Sequence, residues 1–117
     1  MGTCAVLRRV LMSSFLSRLV AQDCIATATG SGVTINANEY GAIVSWAFNV
    51  GCPAARSSTL IRRLNRDESP QTVISEELPK WNKGNGKVLP GLVRRRRAEV
   101  ELAEKPTSDP GLPAAGC

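Results

Sequence analysis

The residues that could do chemistry are easiest to define by what is missing. The chain contains no histidine, which removes the commonest general base and the usual serine and cysteine triads. Paired carboxylates could replace them, yet Glu76 and Glu77 are adjacent and would point apart on a helix, and no other pair has a setting that suggests a tuned pKa. Cys4, Cys24, Cys52 and Cys117 are scattered, without a CxxC spacing. A zinc site would need all four, drawn from both ends of the chain. Without a convincing export signal the expectation is free thiols in a reducing compartment. Two glycine patterns fail on inspection. Gly30-Ser31-Gly32 would need its third glycine at Ile35 to be a dinucleotide fingerprint. Lys83-Gly84-Asn85-Gly86-Lys87 would need Gly at Trp81 and Ser or Thr at Val88 to be a phosphate loop. Neither an enzyme, a cofactor nor a metal is expected.

The remaining candidates are arginines. The net charge is +5, and it is unevenly spread. Residues 1–22 hold Arg8, Arg9 and Arg18 and no acid. Residues 56–66 hold Arg56, Arg62, Arg63 and Arg66 and no acid. Lys83, Lys87 and Arg94, Arg95, Arg96 and Arg97 form a third basic block. Basic islands of this kind suit phosphate-rich or other anionic partners.

Those charges must be carried by elements. With 117 residues there is room for one small domain. Phe15, Tyr40, Trp46, Phe48 and Trp81 are the full set of aromatics, and three of them fall between Asn36 and Gly51, so the core is centred there. That stretch fits two periods. Val44, Trp46, Phe48 and Val50 alternate as on a strand, whereas Tyr40, Ile43, Val44, Ala47 and Phe48 share a helical stripe. The boundary chemistry favours a helix. Asn36 followed by Glu39 resembles a capping box, and Gly51 then Pro53 is a helix stop. Pro53 to Arg66 predicts a second helix with Leu60, Ile61 and Leu64 on one side and the arginines opposite. Gln71 to Leu78 predicts a third, with Val73, Ile74 and Leu78 inward. The β-formers between Cys24 and Asn36, interrupted by Gly30-Ser31-Gly32, predict a short hairpin. Arg94 to Glu104 predicts a charged helix in which Arg96–Glu99 and Arg97–Glu101 can pair. The final residues, KPTSDPGLPAAGC, carry three prolines and no periodicity, and disorder is expected.

The fold class is therefore mainly α: a small helical domain with a short β-hairpin and a disordered C-terminal tail. Its divisions are a basic apolar leader or first helix at 1–22, a domain at 24–80, and a basic, Pro/Gly-punctuated tail at 81–117. The leader is acid-free and rich in Arg, Ser and aliphatics, the composition of a mitochondrial presequence. It is too broken by serine and arginine to span a bilayer, and Val6 stands where a myristoylation motif at Gly2 needs Ser or Thr.

The segment SSTLIRRLNRDESPQTV resembles the recognition helix and following turn of helix-turn-helix regulators. That resemblance implies a second helix in the major groove, with Ser57, Ser58 and Thr59 against phosphate or bases and Arg62, Arg63 and Arg66 on phosphates or guanines. The leading expectation is a non-enzymatic nucleic-acid-binding protein. Its site would be Arg56, Ser57, Ser58, Thr59, Arg62, Arg63, Arg66 and Arg94, Arg95, Arg96 and Arg97, and it would reside in the cytoplasm or nucleus. The alternative is an accessory subunit of a larger assembly, with residues 1–22 as a mitochondrial targeting segment.

Overall fold

The computed structural model describes residues 13–112. The expected leader is therefore seen only from Ser13, and Gly2, Cys4, Leu7, Leu11 and Cys117 lie outside the described residues. The first helix, α1 (Ser13–Ala28), runs through positions where the sequence predicted a strand. Thr27 within it, and Thr29 just past its end, turn their hydroxyls back onto the carbonyl oxygens of Asp23 and Ile25, each at 2.8 Å, and Ile25 is fully buried. Burial against neighbouring helices outweighs the few tenths of a kcal/mol of β-branched preference, roughly, at each residue. Only Ile35–Asn36 becomes a strand, β1.

The helix anticipated after Asn36 is present as α2 (Ala37–Val50). Its capping box is complete: the Asn36 side chain accepts from the Glu39 N–H, and Glu39 Oε1 accepts from the Asn36 N–H, both at 2.8 Å. Gly51 ends it at φ +91° while donating to the Ala47 carbonyl. The buried face is not the anticipated stripe. Ala42, Ile43, Trp46 and Ala47 are enclosed, whereas Phe48 is 47% exposed. Helices pack on two sides of α2, and Trp46 meets Trp81 edge-to-face at 5.4 Å between ring centroids.

The single helix expected over 53–66 is two, α3 (Cys52–Arg56) and α4 (Thr59–Asn65). The chain breaks because Ser58 is extended and caps α4, its hydroxyl oxygen accepting from the Ile61 N–H at 3.2 Å. Leu60, Ile61 and Leu64 point inward as anticipated. The third helix, α5 (Pro70–Glu77), buries Val73 and Ile74 and runs into a 3-10 turn at Leu78–Lys80.

A hairpin does exist, later in the chain than expected. β2 (Lys83–Gly84) pairs with β3 (Lys87–Val88) around Asn85 and Gly86, both at positive φ, the backbone that a two-residue Asn-Gly turn favours. Next comes α6 (Pro90–Glu104), which has proline in its first turn and packs along α2. The stretch set apart as a tail from residue 81 thus closes the same core. β4 (Pro110–Leu112) pairs antiparallel with β1, Ile35 opposite Leu112, and the Ala37 N–H donates to the Asp109 carbonyl at 2.8 Å. Gly111 is required there, since a Cβ would collide with the Asn36 carbonyl and the Tyr40 Cβ. The expected disorder of residues 113–117 lies outside the described residues.

Cys24 and Cys52 form a disulfide between α1 and the start of α3, with Cα atoms 5.8 Å apart, which corrects the expectation of free thiols for these two. Helix packing brings together cysteines whose sequence spacing carries no signal.

Candidate functional site

Successive side chains on a helix are turned by about 100°, so the four arginines of α6 cannot act as one surface. Arg94 and Arg97 are exposed, Arg95 is partly buried, and Arg96 is 1% exposed. Arg96 pairs with Glu99, Nε lying 2.6 Å from Oε1, and its Nη2 donates to Oε2 at 2.9 Å. The pairing anticipated from the i, i+3 spacing is present, but in the interior. Glu99 Oε2 also accepts from the Ser45 hydroxyl on α2 at 2.6 Å and lies 3.5 Å from Arg95 Nε. Burial holds the Arg96 pKa below its ordinary value; Glu99 opposes that shift and the Arg95 charge reinforces it. One carboxylate thus serves two guanidinium groups.

Arg95 also donates weakly, at 3.4 Å, to the Ser45 carbonyl. It borders a groove of about 470 Å³ between α2 and α6, lined also by Gly41, Val44, Ser45 and Phe48. A second hollow of about 360 Å³ lies on the other side of Phe48, lined by Val20, Ala21, Ala47, Gly51 and Cys52. Val20 is 57% exposed. The face is of mixed polarity, apolar beyond Phe48 and polar on the Ser45–Arg95 side, with the half-exposed ring between the two hollows.

All ten carboxylate side chains of the sequence lie among the described residues, and none lines either hollow. The three buried ones are committed elsewhere. Glu39 closes the cap of α2 and accepts from Gln71 at 2.6 Å. Glu77 accepts from Arg63 and Lys80, both at 2.9 Å. Burial would push the Glu77 pKa up, but Lys80 and Arg63 hold it below the usual carboxylate range. Glu99 belongs to the arginine cluster. Among the described residues no His/Cys/Asp/Glu cluster could hold a metal ion.

The expected nucleic-acid face is dispersed. Ser58 is a buried cap, and Ser57 donates to the Pro53 carbonyl at 3.0 Å. Arg62 bonds the Ser57 carbonyl and the Thr59 hydroxyl. Arg63 is held by Glu68, Glu76 and Glu77 at 2.7–2.9 Å, and those contacts raise its pKa further. Arg56 and Arg66 are exposed. The set therefore mixes surface cations with fold-holding groups. It missed Ser45 and Glu99, and it assigned Phe48 to the core, because only the packing of α6 against α2 brings these positions together.

The model of the phage lysozyme family matches residues 9–99. The chain belongs to the phage lysozyme family. It is similar to the endolysin of Bacillus phage PZA, 44% identical over 99 residues, covering 81% of this chain and 38% of that protein. It is also similar to the endolysin of Acyrthosiphon pisum secondary endosymbiont phage 1, 40% identical, covering 78% of this chain and 64% of that one. Among solved structures, the muramidase domain of SpmX from Asticaccaulis excentricus superposes with a TM-score of 0.66 at 27% identity, over 78% of this chain and 62% of that domain. The chain thus spans from about two-fifths to just under two-thirds of these phage relatives. Membership overturns the expectation of a non-enzymatic nucleic-acid-binding protein, and with it nucleic acid as partner and the nucleus or mitochondrion as location. Basic composition misled because it reports charge, not the fold that displays it. The mainly helical fold agrees with the muramidase neighbour.

Proposed function

We propose that this chain functions in enzymatic hydrolysis of peptidoglycan, the bacterial cell-wall polymer, cleaving bonds between its sugars. The observation that carries this reading is the family match over residues 9–99, supported by relatives named endolysins and a neighbour named a muramidase. Glycosidases use two carboxyl groups astride the scissile bond, one of them as general acid. The part of that task legible in the described residues is binding. An open face of mixed polarity, with a half-exposed ring and a guanidinium, can hold a sugar polymer and orient it. The Cys24–Cys52 bridge suits work on the oxidising side of a bacterial membrane, where the wall lies.

The test is release of reducing ends from purified peptidoglycan by the full chain, with the released fragments weighed by mass spectrometry. Fragments bearing new reducing sugars are expected. Intact glycan strands after prolonged incubation, with no sedimentation of the chain alongside the insoluble wall, would overturn the proposal.

A further inference from the structure

Between Glu77 and Glu99 the chain carries no acid. Lys80, Arg95 and Arg96 in that stretch are committed to those two glutamates. Lys83, Lys87, Arg94 and Arg97 are exposed and make no ion pair among the described residues. The two lysines stand on the β2–β3 hairpin. Arg94 lies early in α6 and leans back toward the hairpin, its Nη2 3.9 Å from where a Gly91 Cβ would be.

The same hairpin holds two aliphatic side chains in water. Val88 is 54% and Leu89 42% exposed, and the ribbon fixes where they point. Val88 sits opposite Lys83, and Lys87 opposite Gly84. The Leu89 N–H extends the pairing by donating to the Asn82 carbonyl at 3.0 Å. Successive strand residues face opposite sides, and Leu89 lies over Gly84, where a Cβ would strike its side chain. Each side of the ribbon thus carries one lysine and one aliphatic group. At its base, Trp81 is held against buried Trp46.

A hydrated phosphate polymer would answer the cations and leave Val88 and Leu89 in water. The boundary of an anionic bilayer answers both features. Aliphatic groups enter the acyl margin, while lysine and arginine stems lie along it and place their charges at the lipid phosphates. We infer that the β2–β3 hairpin docks the protein on anionic lipid, entering edge-on with Val88 and Leu89 while Lys83, Lys87, Arg94 and Arg97 bind the headgroups. The inference draws on the hairpin and the start of α6 alone, and adds a lipid surface to the proposed wall substrate.

The test is sedimentation of the folded full chain with vesicles of phosphatidylcholine, alone or mixed with phosphatidylglycerol, beside titration with soluble polyphosphate. The mixed vesicles should bind about tenfold more tightly than the neutral ones, or better. A lysine near an anionic bilayer is worth about fivefold, so Lys83→Gln with Lys87→Gln should lower the affinity roughly 25-fold. Val88→Ser with Leu89→Ser, which keeps every charge, should lower it about tenfold, and the added ring of Val88→Trp should emit further to the blue on mixed vesicles. Arg56→Gln with Arg66→Gln removes equal charge elsewhere and should change the affinity by no more than about twofold. All of these side chains are exposed, so the fold is kept. Equal binding to neutral and mixed vesicles overturns the inference. So does undiminished binding by the Val88, Leu89 variant, or an equal loss in the Arg56, Arg66 variant, which would mean diffuse attraction. Polyphosphate binding as tightly as mixed vesicles at equal phosphate concentration also overturns it, making a phosphate polymer the occupant. Peptidoglycan cleavage without vesicle binding removes this inference and leaves the proposed function standing. Vesicle binding without any cleavage does the reverse.

Discussion

Reduction of the Cys24–Cys52 bridge gives the most quantitative check on the arrangement of helices. The two residues are 28 apart in sequence, and the bridge joins α1 to the start of α3. In the chain-entropy model, closing a loop of that length withdraws about 3.5 kcal/mol of freedom from the unfolded state. For a domain of this size such a loss lowers the melting temperature by roughly 15 to 25 °C. The assay is urea unfolding in a Cys4→Ser, Cys117→Ser background, with and without reductant. Reduction should move the midpoint to lower urea and steepen the transition slightly, because a released unfolded chain exposes more surface. Alkylation before reduction should label neither Cys24 nor Cys52. An unchanged midpoint, or rapid labelling of both thiols in the folded protein, would refute the packing of α1 on α3.

Three further substitutions probe separate contacts. Gly111→Ala forces a methyl against the Asn36 carbonyl and Tyr40 and should cost about 1–3 kcal/mol; faster hydrogen exchange at the Ala37 amide, which bonds Asp109, would show that the β1–β4 pairing is what opens. Glu99→Gln leaves buried Arg96 without its counter-charge and should destabilise by about 3–5 kcal/mol, measurable as a lower urea midpoint. Glu77 is held below the ordinary carboxylate range by Lys80 and Arg63 against its own burial. Its contribution to stability is therefore present above the unfolded-state pKa of about 4.3 and is lost as pH falls through the folded value. The midpoint difference between the wild type and Glu77→Gln should shrink as the pH is lowered from 6 to 3, and a constant difference would contradict the ion-pair geometry.

Local chemistry was legible wherever the cause was local. Asn36 and Glu39 are three residues apart and cap each other, Gly51 stops the helix they start, and Leu60, Ile61 and Leu64 face inward because the helical period leaves them together. The Arg96–Glu99 pair followed from the same period. Threonine-rich helix ends were misread, because β-branched preference is weaker than the burial of Ile25. Ser58 reads in sequence as a contact residue, whereas in the fold its hydroxyl caps the second of the two helices that replace one.

Tertiary structure decided the rest. No sequence spacing marks Cys24 and Cys52 as partners, places Ser45 on Glu99 across 54 positions, or turns Phe48 outward while Trp46 is enclosed. Four consecutive arginines look alike as a string; on α6 one is sealed against a carboxylate, one edges a groove, and two meet solvent. The sequence by itself determined where the helix after Asn36 begins and ends, since its capping box and its glycine stop act within a few residues. Which charges are displayed, and to what, depended on elements far apart in the chain meeting to exclude water.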